Sequence, residues 1–192
     1  MHTLIFATNN RNKVAEIQSL VGPNFTIIPL KEAGIDIDIP EPHDQLEANA
    51  LEKAMTIFKM TNQACFSEDT GLEIEGLDGA PGVKSARYAG ENSNPQANID
   101  LVLSKLTGVE NRTAQFRTVI CLIWENQTYY FEGICKGQIL NNMQGENGFG
   151  YDPIFVPDGA SKSFANMTME EKNTYSHRKK AVTQLFDFLG TV

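Results

Sequence analysis

The sequence predicts an α/β protein built on a mixed β-sheet, and three observations carry that reading. Short apolar runs alternate with segments of helical periodicity through the first half of the chain, two long strand candidates follow in succession, and no stretch has linker composition. At 192 residues the chain is long enough to bury its own core, and it reads as one domain over residues 1–192.

The elements follow in order. Residues 3–7 form an apolar run ending at Thr8, Asn9 and Asn10, after which Val14, Ile17, Leu20 and Val21 recur at helical spacing: strand, loop, helix. Residues 25–30 and 35–39 read as strands, the second through a strict alternation of Ile and Asp. Leu46, Ala50, Ala54, Ile57 and Phe58 make the apolar face of a helix over 44–60, opened by Asp44 and Glu47 at capping-box spacing. Residues 64–67 and 72–77 are strand-like; between them Glu68 and Asp69 lie at the end of the first strand and Thr70 with Gly71 turns the chain sharply. A Gly/Pro-rich loop over 78–90 leads to a helix with Ile99, Val102, Leu103 and Leu106 on one face. Residues 114–124 and 129–140 are strands joined as a hairpin through residues 125–128. The last helix starts near Ser176 and buries Val182, Leu185, Phe186 and Leu189.

Composition narrows the function. With 24 acidic against 16 basic residues, the net charge of -8 argues against a general polynucleotide-binding surface, so an anionic ligand needs a local cluster of cations. Cys65, Cys121 and Cys135 are odd in number, lack metal-ligand spacing and sit in apolar runs, which suits reduced core residues of a cytosolic protein. Residues 1–6 show no basic leader or small-residue cleavage site, and no apolar run approaches the ~18 residues of a membrane span. A soluble cytoplasmic protein is expected.

Six groups of residues have types suited to chemistry. Thr8, Asn9, Asn10, Arg11, Asn12 and Lys13 form a polar loop at a helix start, where backbone N–H groups and the dipole favour phosphate; the plain alternative is an Asn N-cap and a solvated Lys13. Glu47, Glu68 and Asp69 offer hard oxygen donors to a divalent cation such as Mg²⁺, although Glu47 equally suits a cap and Glu68 with Asp69 a solvated turn. Asn49 and Lys53, four apart, project from one helix face. The run from Glu146 to Pro153 sets Phe149 between Gly148 and Gly150 ahead of Tyr151 and Asp152, a loop suited to a flat ring stacking on an aromatic face. Lys172 lies in an acidic patch, where it reads equally as a local ion pair. Ser176, His177 and Arg178 open the last helix, where cations oppose the dipole; that cost suggests a use in contacting a base edge, carbonyl or phosphate.

Taken in order, residues 8–13, 47–50, 67–72, 80–90, 149–153 and 176–178 resemble the motif series of the inosine/xanthosine triphosphate pyrophosphatases over nearly the whole chain. The resemblance implies a two-lobed α/β fold around a long mixed sheet with a cleft between the lobes, a homodimer, and Mg²⁺-dependent hydrolysis of non-standard purine nucleoside triphosphates to monophosphate and pyrophosphate. By motif position it implies that residues 8–13 hold phosphates and that Glu47, Glu68 and Asp69 serve the metal, with Asp69 also the base. It further implies that Lys53, Thr70 and Lys172 contact substrate, and that Phe149, Gly150, Tyr151 and Asp152 form a base pocket with His177 and Arg178. The chain departs from the family at Glu68 and Thr70, commonly Asp and Ser, and at Lys84, commonly an aromatic. Two rivals stand beside this reading: a Maf-type pyrophosphatase acting on pyrimidine or modified nucleotides, and a catalytically silent nucleotide sensor. The Phe149 loop with His177 and Arg178 argues against the first, and the carboxylate set, which would repel a triphosphate without a metal, argues against the second.

Overall fold

The computed structural model describes residues 2–191. Seven strands, β1 (His2–Phe6), β2 (Phe25–Pro29), β3 (Cys65–Ile74), β4 (Pro81–Gly82), β5 (Thr113–Trp124), β6 (Gln127–Ile139) and β7 (Phe155–Pro157), form one sheet in the order β2-β1-β3-β5-β6-β7, with β4 paired to β3. β1 runs parallel to β2 and β3, whereas β3–β4 and β6–β7 are antiparallel. The helices are α1 (Arg11–Gln18), α2 (Leu46–Thr61), α3 (Pro95–Lys105), α4 (Met169–Tyr175) and α5 (His177–Leu189). The α/β class with a mixed sheet is therefore as the sequence predicts. Among the described residues no helix is long and apolar enough to cross a membrane.

The chain forms two compact units. The first runs to Asp69 and takes in Thr118–Gly133 and the residues from Arg178 on; the second is Thr70–Arg117 with Ile134–His177. In the first unit the period of two along each strand sorts residues to opposite faces. Leu4, Phe6, Phe66, Ile120 and Leu122 pack with Ile17 of α1 and with Ala181, Val182 and Leu185 of α5. Their strand neighbours Ile5, Ala7, Cys65, Cys121 and Ile123 pack instead with Ala50, Ala54 and Ile57 of α2. The sheet is thus covered on both faces, which is why its strands read as continuous apolar runs. The thiols of Cys65 and Cys121 are pushed up to about 12, Cys65 by burial and Cys121 chiefly so, consistent with inert core groups. The second unit has its own core, in which Leu72, Ile74, Ile99, Val102, Phe116, Ile154, Phe155 and Phe164 meet.

Four expectations need correction. The largest concerns Thr70 and Gly71, which do not turn the chain: β3 passes through residues 68–71 without a break. Its far half is held by β4, with Leu72 opposite Gly82 and Glu73 opposite Pro81, and by Ser85, whose Oγ accepts the Leu72 N–H at 2.8 Å. Gly71 permits that approach, since a Cβ there would lie 2.7 Å from the Gly82 carbonyl oxygen. Residues 35–39 keep the predicted alternation, with Ile39 buried and Asp36 and Asp38 exposed, but they are extended chain outside the sheet. α2 starts at Leu46 with Gln45 at its N-cap position and no side-chain cap, so Asp44 does not serve. The hairpin turn is shorter than predicted: Glu125 and Asn126, at φ 50° and 62°, make the two-residue connection whose left-handed backbone suits the strand twist.

Candidate active site

Because β3 is a strand, Glu68 and Asp69 point to opposite faces of it. Glu68 follows Phe66 toward α1 and α5, and Asp69 follows Cys65 and Ser67 toward α2. The two carboxylates therefore enter two polar clusters within the first unit, and Lys13 acts on both.

On the α2 face, Lys53 Nζ donates to Asp69 Oδ1 at 2.9 Å and to Glu41 Oε1. Asn49, one helical turn before Lys53, donates to Asp69 Oδ2 at 3.4 Å and latches His43 through both of its backbone polar groups. That latch holds the extended segment with Glu41, flanked by Pro40 and Pro42, against the helix. The helical spacing of Asn49 and Lys53 thus brings both to one carboxylate. Burial pushes the Asp69 carboxyl above the ordinary Asp value and Glu41 adds to the rise, against the pull of Lys53 and Lys13. Glu41 is less buried, so although burial is its largest single influence, Lys53 and Lys13 together hold it below the ordinary value. Lys53 loses by burial but gains from two carboxylates, and its ammonium is reinforced.

On the other face, Arg178 Nε and Nη2 grip both oxygens of Glu68, at 2.7 and 2.9 Å, while Nη1 donates to Glu16 Oε2. Lys13 Nζ adds a 3.0 Å contact to Glu68 Oε1. Glu68 is fully enclosed; burial works against its charge, yet Arg178 and then Lys13 hold its carboxyl far below the carboxylate range. Arg178 is 2% exposed, and its donors meet Glu68 and Glu16 of the first unit, while Glu68 is met by Arg178 and Lys13. Glu47 lies two positions from Asn49, about 200° around the helix, and its charge is felt at Tyr130.

The polar loop ahead of α1 is largely self-satisfied. Asn10 is the N-cap, accepting from Asn12 N and Lys13 N, and Thr8 Oγ1 accepts from Asn10 N at 3.2 Å. Asn9 donates to the Ile37 carbonyl at 2.8 Å, tying the loop to the segment that leads into Glu41. Arg11 and Asn12 are exposed.

The second unit holds the aromatic loop. Phe149 is half-buried between Gly148 and Gly150, and borders an open cavity of about 470 Å³ also lined by Pro95, Ile99 and Met143. Lys172 Nζ lies 5.2 Å from the Phe149 ring centre and 2.6 Å from Asp152 Oδ2. Tyr151, 5% exposed, donates its hydroxyl to the Ser85 carbonyl at 2.8 Å, and belongs to the core. His177 stacks on Phe116 with ring centres 4.7 Å apart. Thr70 is half-buried on β3.

Sequence reading missed Glu41, Glu16 and the Asp152–Lys172 pair. Glu41 has a faint signal in its two prolines, which exclude regular structure around an acidic residue. Glu16 has none, since it lies on an apparently ordinary helix, and α4, which presents Lys172, is too short at seven residues to show a period.

The sequence model of the Ham1 family matches residues 4–188. A dITP/XTP pyrophosphatase of Flavobacterium johnsoniae is 49% identical over 186 residues, covering 97% of each chain. One from Porphyromonas gingivalis is 50% identical over 190 residues, covering 98% of each. Among solved structures, the Ham1 protein of Staphylococcus aureus superposes with a TM-score of 0.89 at 37% identity, covering 98% of each chain, and a HAM1 protein from Coxiella burnetii gives 0.90 at 35% over the whole of both.

Proposed function

The chain belongs to the Ham1 family, and from that premise we infer that it hydrolyses the non-standard purine nucleoside triphosphates ITP, dITP and XTP to monophosphate and pyrophosphate, cleansing the nucleotide pool. It is a nucleoside-triphosphate pyrophosphatase. The observation that supports a chemical centre is the buried Asp69 carboxylate, raised in pKa and held by Lys53 and Asn49 beside Glu41.

Asp69 is the proposed general base. Its carboxylate would accept a proton from water attacking the α-phosphorus, and Asn49 and Lys53 fix its orientation. Lys53 and Lys13 supply positive charge for the departing pyrophosphate, and the loop of residues 8–13 adds donors to the phosphates. Mg²⁺ is the proposed cofactor. Among the described residues no three carboxylate, histidine or cysteine side chains converge as a self-sufficient metal site. Mg²⁺ typically takes only one or two carboxylates and completes its shell with water and phosphate, so Glu41 and Asp69, already drawn together on one ammonium, fit it. When bound, the ion neutralises charge on the phosphate oxygens.

Base recognition is assigned to the second unit. Phe149 offers a π-face to the purine, Gly150 leaves room beside it, and His177 and Thr70 are the proposed polar contacts of that end. Donors matched to a 6-keto oxygen would reject the 6-amino group of adenine. Arg178 is assigned to the support of Glu68 and Lys13. The whole of residues 1–192 is proposed as one catalytic domain, working as a homodimer in the cytoplasm; three buried, reduced cysteines suit that compartment.

The test is product analysis with ITP, with and without Mg²⁺. Inosine monophosphate and pyrophosphate should appear in one step, only with the metal, and ATP should be a poor substrate. Release of inosine diphosphate and orthophosphate would overturn the reading.

A further inference from the structure

Two glycines with left-handed backbone, Gly148 at φ +75° and Gly150 at φ +61°, flank Phe149. Glycines leave a loop many conformations, so a ring meant to stack on a base needs something else to hold it. One oxygen does so. Asp152 Oδ2 accepts the Phe149 backbone N–H at 2.9 Å and the Lys172 ammonium at 2.6 Å. Asp152 and Lys172 are only 3% and 4% exposed. The same oxygen fills the space beside Gly148, where a Cβ would come within 2.1 Å of it.

Lys172 is fixed in turn. It rises from α4, whose start is tied by a reciprocal capping box between Thr168 and Glu171, and its ammonium lies 5.2 Å from the rings of both Phe149 and Phe164. A charge-assisted hydrogen bond in a buried setting is short and directional. The ring of Phe149 is therefore placed by a chain of contacts running from α4 through Lys172 and Asp152 to its own backbone.

We propose that Asp152 is a positioning residue for base stacking, a buried anchor with Lys172 as its counter-ion, and that it does not itself read the base. Two partners on Oδ2 and almost complete burial commit that oxygen to the anchor. The proposal rests on the reading of Phe149 as the stacking surface.

The experiment measures inhibition constants against ITP hydrolysis for three competitors: inosine, purine riboside, which lacks the 6-keto oxygen, and inorganic tripolyphosphate. Asp152→Ala should weaken both nucleosides by one common factor, about 5- to 150-fold, the range that corresponds to losing a stacked base. Tripolyphosphate should stay within about twofold. Gly148→Ala changes an exposed loop residue and should produce the same pattern by forcing the oxygen aside, so it decides the matter if Asp152→Ala does not fold. A loss falling on inosine and sparing purine riboside would make Asp152 an edge reader and overturn the proposal. So would unchanged nucleoside inhibition in Gly148→Ala and Asp152→Ala when Phe149→Ala loses it. If Phe149→Ala also leaves inosine inhibition intact, the stacking reading falls, and the positioning role with it.

Discussion

Replacing Arg178 by methionine separates a structural role from a substrate-reading one. The side chain is 2% exposed, and its removal takes from Glu68, a wholly buried carboxylate, two charge-assisted hydrogen bonds at 2.7 and 2.9 Å, leaving the Lys13 contact at 3.0 Å. It also takes the Arg178 contact from Glu16. Deleting one partner of a buried ion pair costs about 3–5 kcal/mol, because the remaining charge stays enclosed. Against a total stability of about 5–15 kcal/mol this is a large share. In a protein of this size each kcal/mol moves Tm by about 2–4 °C, so Arg178→Met should melt about 6–20 °C lower. Thermal and urea unfolding of the nucleotide-free protein measure it. The triple variant Arg178→Met, Glu68→Gln, Glu16→Gln removes the stranded charges and should regain most of the loss, as neutral replacements of buried ion clusters often do. A Tm change below about 2 °C, paired with a large fall in nucleotide affinity, would refute the reasoning and return Arg178 to the base pocket.

Three further outcomes are expected. Glu68 is held below its unfolded value near ~4.3, so its contribution is present above that pH and is lost progressively as the pH falls. Melting curves between about pH 6 and pH 2 should decline, and Glu68→Gln should flatten the decline, while Asp69, raised rather than lowered, contributes with opposite sign. A wild-type and Glu68→Gln pair with parallel pH profiles would contradict this. Asp69→Asn should lower kcat by about 10²- to 10⁴-fold while the protein still folds, as expected of one general base; near-full kcat at saturating Mg²⁺ would place the base elsewhere. Gly71→Ala should destabilise by about 1–3 kcal/mol, since its Cβ meets the backbone of Gly82 at 2.7 Å rather than a movable side chain; unchanged urea unfolding would show that β4 can move away.

Much of the fold was legible because periodicity reports burial. The α2 face, the α5 face and the β5–β6 hairpin were all read from apolar spacing, and Asn49 with Lys53 from a separation of one helical turn. What failed was local composition without periodicity. Glu-Asp-Thr-Gly has turn chemistry in isolation, and tertiary pairing to β1 and β4 overrode it. Residues 35–39 have a strand pattern, but a period of two reveals alternate burial and says nothing about a hydrogen-bonded neighbour. The partnerships among the candidate residues were opaque in the sequence. Glu16 and Arg178 are 162 positions apart, and Lys172 reaches Asp152 across 20; no spacing rule spans such gaps.

The partition of the chain bears on how it is made. The second unit lies wholly inside the first in sequence: the first begins at the amino end, stops at Asp69, resumes at Thr118–Gly133 and is completed only from Arg178 onward. Ribosomal synthesis at about 5–20 residues per second therefore leaves the amino-terminal segment waiting roughly 6–25 s for its last helix. Meanwhile Phe6 and Phe66, stacked at 4.5 Å in the finished protein, lack the Ala181, Val182 and Leu185 cover that α5 supplies. The nascent chain must keep part of an apolar sheet face exposed until α5 emerges, and a truncation that removes α5 would make that transient exposure permanent.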